Sequence, residues 1–229
     1  VAYAYRASTS AGNASGGALS INKPAGTVDG DLLVAVLYLE SDTNTWTPPA
    51  GWNTSAALTQ DNTGSLQMQV FWKIASGEGA SWSWTPGTNN WRSGVVAAYS
   101  GGSGSGERVD IAGGSQGDAI SPVTNQTAPS VSTTVVDDLL VFGYGNFSGT
   151  NVTAMTGTAS NLRVSFGGCT IADANRASTG ATGTSAPSSG PGSDTYAALH
   201  AAFLLAPGGA AATSFLIPPP RMPLALLAR

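Results

Sequence analysis

His200 is the single histidine of the chain. An imidazole can act as a base, a proton shuttle or a metal ligand. Here it sits in an alanine-rich run, YAALHAAFLL, and reads as a structural histidine. Gly113-Gly114-Ser115-Gln116-Gly117 has the G-x-S-x-G spacing of a nucleophile elbow. That chemistry needs a strand before the serine and a helix after it. These residues lie in a glycine-rich stretch that reads as a loop, so the match is one of chance. Gly143-Tyr144-Gly145 follows a strand, but no third glycine opens a helix, and no phosphate-binding G-x-x-x-x-G-K-[ST] run occurs. Glu40, Asp42, Glu78 and Glu107 fall in or near turns, where spacing does not pair them for glycosidase-type chemistry. Asp29 and Asp31 flank a glycine and could contribute to a Ca²⁺ site, but turn capping is the simpler reading. Cys169 has no second cysteine to bridge and reads as a small buried residue. No catalytic, cofactor or metal-ligating residue is assigned, and the chain is expected not to be an enzyme.

All six tryptophans fall between residues 46 and 91. A tryptophan face exposed on a β-sandwich can stack on a sugar ring. Trp72, Trp82 and Trp84 occupy inward positions of alternating strands and are expected in the core. Trp46, Trp52 and Trp91 lie at strand ends or in loops and are the candidate glycan contacts.

Composition narrows the classes further. The chain has 229 residues, 41% of them hydrophobic and only 10% charged, with a formal net charge of −4. Ordinary soluble domains carry about 25% charged residues. Ser, Thr, Asn, Gln and Gly must therefore supply the polar surface, as suits a protein packed in an assembly or working outside cells. Lys23 and Lys73 are the two lysines and the arginines are scattered, so no basic patch points to nucleic acid. No run approaches the roughly 18 apolar residues of a membrane span, and membrane insertion is not expected. No basic-then-apolar leader opens the chain. Val1 is not an ordinary initiator, so an N-terminal piece is expected to have been removed or left out of the numbering.

The elements that must carry these residues read almost entirely as strands. In 66–74, LQMQVFWKI, Leu66, Met68, Val70, Trp72 and Ile74 share one face, and Gln67, Gln69, Phe71 and Lys73 the other, which predicts one wet face. In 161–166, NLRVSF, Leu162, Val164 and Phe166 point inward. Residues 31–39 and 138–144 are apolar on both faces and predict central strands covered on both sides, with a subunit contact on one side a candidate cover. Residues 94–99 and 196–205 are small-residue strands. Gly-, Pro- and Ser-rich stretches punctuate them. The fold expected is all-β, a jelly-roll-like antiparallel sandwich spanning 1–206.

GDLLVAVLY at 30–38 and DDLLVFGYG at 137–145 nearly repeat one another. Each is preceded by a similar prelude and followed by an alternating strand and then a small-residue strand. The chain therefore reads as two pseudo-repeated half-sandwiches, about 20–102 and 128–206. In each, an aspartate (Asp31, Asp138) is expected to close the turn by accepting backbone N–H bonds.

Composition changes again after residue 206. The tail 207–229 is extended and Pro-rich through Pro218–Pro220, yet it carries Phe215, Leu216, Ile217, Met222, Leu224, Leu226 and Leu227. An apolar tail left in water invites aggregation. These seven residues are expected to form an assembly element that docks on a neighbouring subunit.

The succession SINKPAGTVDGDLLVAVLY, TPPAGW, VFWKIASGEGASWSWT and SGVVAAYSGG resembles a β-sandwich module of tailed-bacteriophage virion proteins of the minor-tail or head-decoration type. DDLLVFGYG, TIADANRASTGATGT and AALHAAFLLAPG look like its closing part. The resemblance covers about residues 3–208, and the Ala/Gly-rich, Lys-poor composition looks like that of an actinobacterial phage. It implies a non-enzymatic structural or adhesive role on a virion surface, a homo-oligomer in contact with other virion proteins, and no cofactor. A carbohydrate-binding or adhesion module, directed at a host-surface glycan, is the alternative it leaves open.

Overall fold

The computed structural model describes residues 2–13, 16–41, 45–62, 66–88, 90–101, 108–117, 126–189 and 195–204. The tail residues Phe215, Leu216, Ile217, Met222, Leu224, Leu226 and Leu227 lie outside the described residues. The first part of the chain forms strands β1 (Ala4–Asn13), β2 (Leu19–Asn22), β3 (Leu32–Leu39), β4 (Trp46–Thr47), β5 (Thr59–Asn62), β6 (Leu66–Ile74), β7 (Ser81–Pro86) and β8 (Arg92–Ser100). The second forms β9 (Val109–Gly117), β10 (Ser132–Thr133), β11 (Asp138–Asn146), β12 (Ala154–Gly157), β13 (Asn161–Phe166), β14 (Cys169–Arg176), β15 (Gly180–Ala181), β16 (Ser185–Ser189) and β17 (Tyr196–Phe203). One 3-10 turn, Ala56–Leu58, is the sole helical element among the described residues. Every strand pairing is antiparallel. The fold is an all-β sandwich.

The two parts wrap in the same way. One five-stranded sheet runs β1-β8-β3-β6-β5 and the other β9-β17-β11-β14-β13. In the first part β2 and β4 flank β7 as a small outer sheet, and in the second β10 pairs with β15 and β12 with β16. The molecule thus stacks four layers: a small sheet, two large sheets, and a second pair of short ribbons. Three apolar cores fill the gaps. Leu33, Ala35 and Leu37 of β3 pack with Leu19, Ile21, Trp82 and Trp84 of the first outer sheet. Leu140, Phe142 and Tyr144 of β11 pack with Val131, Val152 and Ala159 on the other side. Between the large sheets, Val34, Val36, Tyr38, Met68 and Val70 meet Val141, Cys169, Ile171, Leu199 and Phe203.

This explains the doubly apolar central strands. Each half is itself two-layered, so the chain covers both faces of β3 and β11 without another subunit. Each half thus carries a large sheet and its own outer strands. The repeats also begin earlier than 20 and 128, because β1 and β9 are edge strands of small and polar residues (AYRASTSAGN, VDIAGGSQG) with no apolar alternation to read.

Two further strands differ from the pattern. The expected wet face of β6 is covered: Gln67, Gln69 and Phe71 are buried, and Asn53 bridges to Trp72 across the strand. In β13 a bulge falls between Leu162 and Val164. An extra residue flips the faces that follow, so Leu162 faces the second repeat's own core while Val164 faces the central one. Phe166 shares the face of Val164 but ends this edge strand and is exposed.

Candidate functional site

Trp72, Trp82 and Trp84 are buried as their alternation predicts. Trp46 and Trp52 are buried too, at 4% and 6% relative exposure. That corrects their reading as a sugar platform, since stacking needs a ring face in water. Pairing of β4 on β7 carries Trp46 under the small sheet. The turn before Asn53 folds Trp52 onto Trp82 and Trp84, with ring centroids 5.2 and 5.1 Å away. Glu78 accepts a hydrogen bond from Trp82 Nε1 at 2.8 Å and pairs with Lys73 at 2.6 Å. This is a structural aromatic cluster with a charged rim.

Trp91 is half-buried at the end of the molecule where β3 and β11 finish. The surroundings there are aromatic and tightly bonded. Phe147 and Phe166, neither singled out as a contact residue by sequence, are 46% and 39% exposed. The Ser93 hydroxyl donates to the Gly167 carbonyl at 2.7 Å, tying the repeats together. A Cβ on Gly167 would stand 3.6 Å from Trp91 Cζ2, and one on Gly12 only 2.9 Å from Phe166 Cε1. Asn146, fully buried, donates to Thr150 O at 2.8 Å and accepts from Thr150 N at 3.0 Å, which fixes the loop carrying Phe147. Trp91, Phe147 and Phe166 are thus presented at one end, at the boundary between the repeats.

The opposite end holds the starts of β3 and β11, the exposed valines Val28, Val135 and Val136, and the last described residue, Leu204. Leu204 N donates to Arg108 O at 2.7 Å, and its carbonyl accepts from Tyr3 Oη at 2.6 Å. Leu204 thus lies at the same end of the body as the exposed valines.

The two turn aspartates at this end behave differently. Asp31 accepts from Val28 N at 2.9 Å and from Arg6 Nε, whose ion pair with it closes to 2.8 Å. It is a turn cap, as is Asp29, which accepts from Gly77 N at 2.8 Å. Asp138 is fully buried, and neither of its oxygens receives a backbone N–H. That corrects its expected capping role. Its neighbour is Asp110, which accepts from Thr134 N at 2.6 Å and from the Thr134 hydroxyl. Burial first, then the facing Asp110 carboxylate and Asp137, push Asp138 up to about 7. Asp110 is lowered: the Thr134 bonds outweigh its own desolvation.

Elsewhere the sequence readings of chemistry stay structural. His200 is fully buried and its Nδ1–H donates to Pro129 O at 2.9 Å. Burial holds its pKa down at about 4. Gly113–Gly117 is not a loop but part of β9, hydrogen-bonded along β17. Cys169 is buried in the central core, and burial raises its thiol to about 12, far from a reactive thiolate. Among the described residues no group of three or more His, Cys, Asp or Glu is placed to hold a metal ion, and no helix is long and apolar enough to cross a membrane. Comparison of the chain with protein-family models, curated proteins and solved structures gives no match.

Proposed function

We propose that the chain is a non-enzymatic structural protein of a bacteriophage virion, a capsid decoration or minor tail component, acting through subunit and surface contacts. One observation carries this reading: the last described residue, Leu204, lies at the end of the body that exposes Val28, Val135 and Val136, and seven apolar residues follow it in sequence. A fold whose three cores are complete within one chain has no need of that tail for its own burial. Its apolar residues serve a neighbour. The test is the solution mass, by light scattering, of the full chain and of a version ending at Ala206. An oligomer that becomes a monomer on shortening supports the reading. Equal masses for the two overturn it.

A second reading has its own observation. Trp91, Phe147 and Phe166 stand at the opposite end, where a sugar ring could stack on them. In that case the body bridges an assembly contact at one end and a host-surface glycan at the other. Titration with fragmented host cell-wall polysaccharide tests it. Binding by the wild type that Trp91→Ala and Phe166→Ala abolish, without loss of fold, supports it. The absence of any binding removes it.

A further inference from the structure

The two repeats provide an internal comparison. Tyr5 pairs with Tyr99 and Ala7 with Ala98, which leaves Arg6 as the bulged residue of β1. Val109 pairs with Phe203 and Ile111 with Ala202, which leaves Asp110 as the bulged residue of β9. Tyr99 and Phe203 each pair with the first leucine of an Asp-Leu-Leu strand, Leu32 and Leu139. Arg6 and Asp110 are therefore equivalent, as are Asp31 and Asp138. The first repeat sets a guanidinium on its buried aspartate. The second sets a carboxyl group there.

We propose that Asp110 and Asp138 form a proton-held latch on the start of β11, at the end of the body where Leu204 lies. Two carboxylates in this position cannot both be charged at low cost, whereas one shared proton converts repulsion into a hydrogen bond. Asp110 is anchored by Thr134, so the proton resides on Asp138. The pair bridges β9 to the 134–138 turn, and losing the proton pushes these two elements apart.

The other groups facing Asp138 do not replace the proton. Asp137, in the same turn, adds to the negative charge. Arg176, directly across β14, donates to Ala181 O at 3.0 Å instead. Tyr3 lies in the field of both Arg108 and Asp138, but burial holds its hydroxyl protonated up to about 12. The Arg108 guanidinium acts on Tyr3, and neither Asp138 oxygen receives a hydrogen bond from it. Along one chain, then, one repeat is locked by an ion pair and the other by a proton.

The sign is opposite to that of an ordinary salt-bridged carboxylate. A group raised from 3.8 to about 7 in the folded state stabilises fully below the lower value, and that contribution is lost as pH rises through the upper one. The test is amide hydrogen exchange over residues 134–140, corrected for intrinsic rates, between pH 4 and 7.5. Asp138→Asn is the reference, since it keeps the shape and removes the titration. Local opening in the wild type relative to this variant should rise with pH, by up to about tenfold per unit, and level off above neutrality. Asp110→Arg recreates the first repeat's ion pair, and its opening should be flat above about pH 5, because a carboxylate held below 3.8 is ionised in both states there. Parallel profiles for wild type and Asp138→Asn overturn the latch. So does a calcium-dependent profile that chelation abolishes, which would make the pair a cation site.

Discussion

Gly143→Ala tests the stacking of the two large sheets. Gly143 lies in the middle of β11, and a Cβ there would stand 3.2 Å from both Val36 Cγ2 and Val70 Cγ2 of the opposing sheet. In an open strand this change would stabilise by roughly 0.5–1 kcal/mol, because glycine is the more flexible residue when unfolded. Here the added methyl meets two β-branched side chains with a stiff χ1. Val36 is pinned by pairing with Val70 on one side and Val95 on the other. Overpacking costs about 1–3 kcal/mol, so the net expectation is a loss near 1 kcal/mol, or a fall of about 2–4 °C in Tm for a chain of this size. Val36→Ala alone removes two methyl groups and opens a small cavity, costing about 2 kcal/mol. The two changes together should cost less than their sum by at least about 0.5 kcal/mol, since each relieves the other. Urea unfolding of the four proteins measures this coupling. Additive costs would mean that the residues do not touch, and the four-layer stack would be wrong.

Other outcomes follow from single positions. Asp137 is the one non-glycine residue with a positive φ, 63°, among the described residues, and its counterpart in the first repeat is Gly30 at 91°. Asp137→Gly should raise stability by about 0.5 kcal/mol through relief of the left-handed backbone, and a loss on urea unfolding would contradict this. His200, held neutral by burial, has a folded pKa of about 4 against 6.5 unfolded. Its contribution is present above 6.5 and lost as pH falls through 4. Thermal melts from pH 7 to 4 should therefore show the wild type losing on the order of 3 kcal/mol relative to His200→Gln. Trp52→Ala should cost about 3–5 kcal/mol, whereas Trp91→Ala, half in solvent, should cost far less; equal costs would contradict the placement of Trp52 inside the cluster.

The strand class and the repeated order of elements were legible because alternation and turn punctuation are local signals. Leu66-Met68-Val70-Trp72 and Trp82-Trp84 face inward as their spacing predicts. What covers the other face is a tertiary fact. Gln67 and Gln69 are polar yet buried, because β6 lies between two layers and not at a surface. Trp46 and Trp52 looked like loop residues, since two-residue β4 is too short to show a period. The β13 bulge shifts the face of Val164 without leaving a mark in composition, and Phe166 is exposed because it ends an edge strand. The Asp110–Asp138 pair joins residues 28 positions apart in different strands, with nothing in either local sequence to couple them. The repeat relates them only through β9, whose VDIAGGSQG has too few apolar residues to show a period.

The shared core shows why the halves could not remain identical. Leu32 and Leu139 are the equivalent first leucines of the two Asp-Leu-Leu strands, so Val36 matches Gly143 and Tyr38 matches Gly145 in register. These matched residues also face each other: a Cβ at 143 would meet Val36, and one at 145 would stand 3.1 Å from Tyr38 Cδ2. Two copies of the first repeat stacked this way would set valine against valine and tyrosine against tyrosine, and interiors at crystal-like density cannot absorb that volume. The second repeat supplies the two glycines that admit them. At the opposite end from Trp91 the same register leaves Arg6 on Asp31 but Asp110 on Asp138. These differences lie where the two halves meet and at the end that holds Leu204, so each allows two similar halves to form one body with two distinct ends.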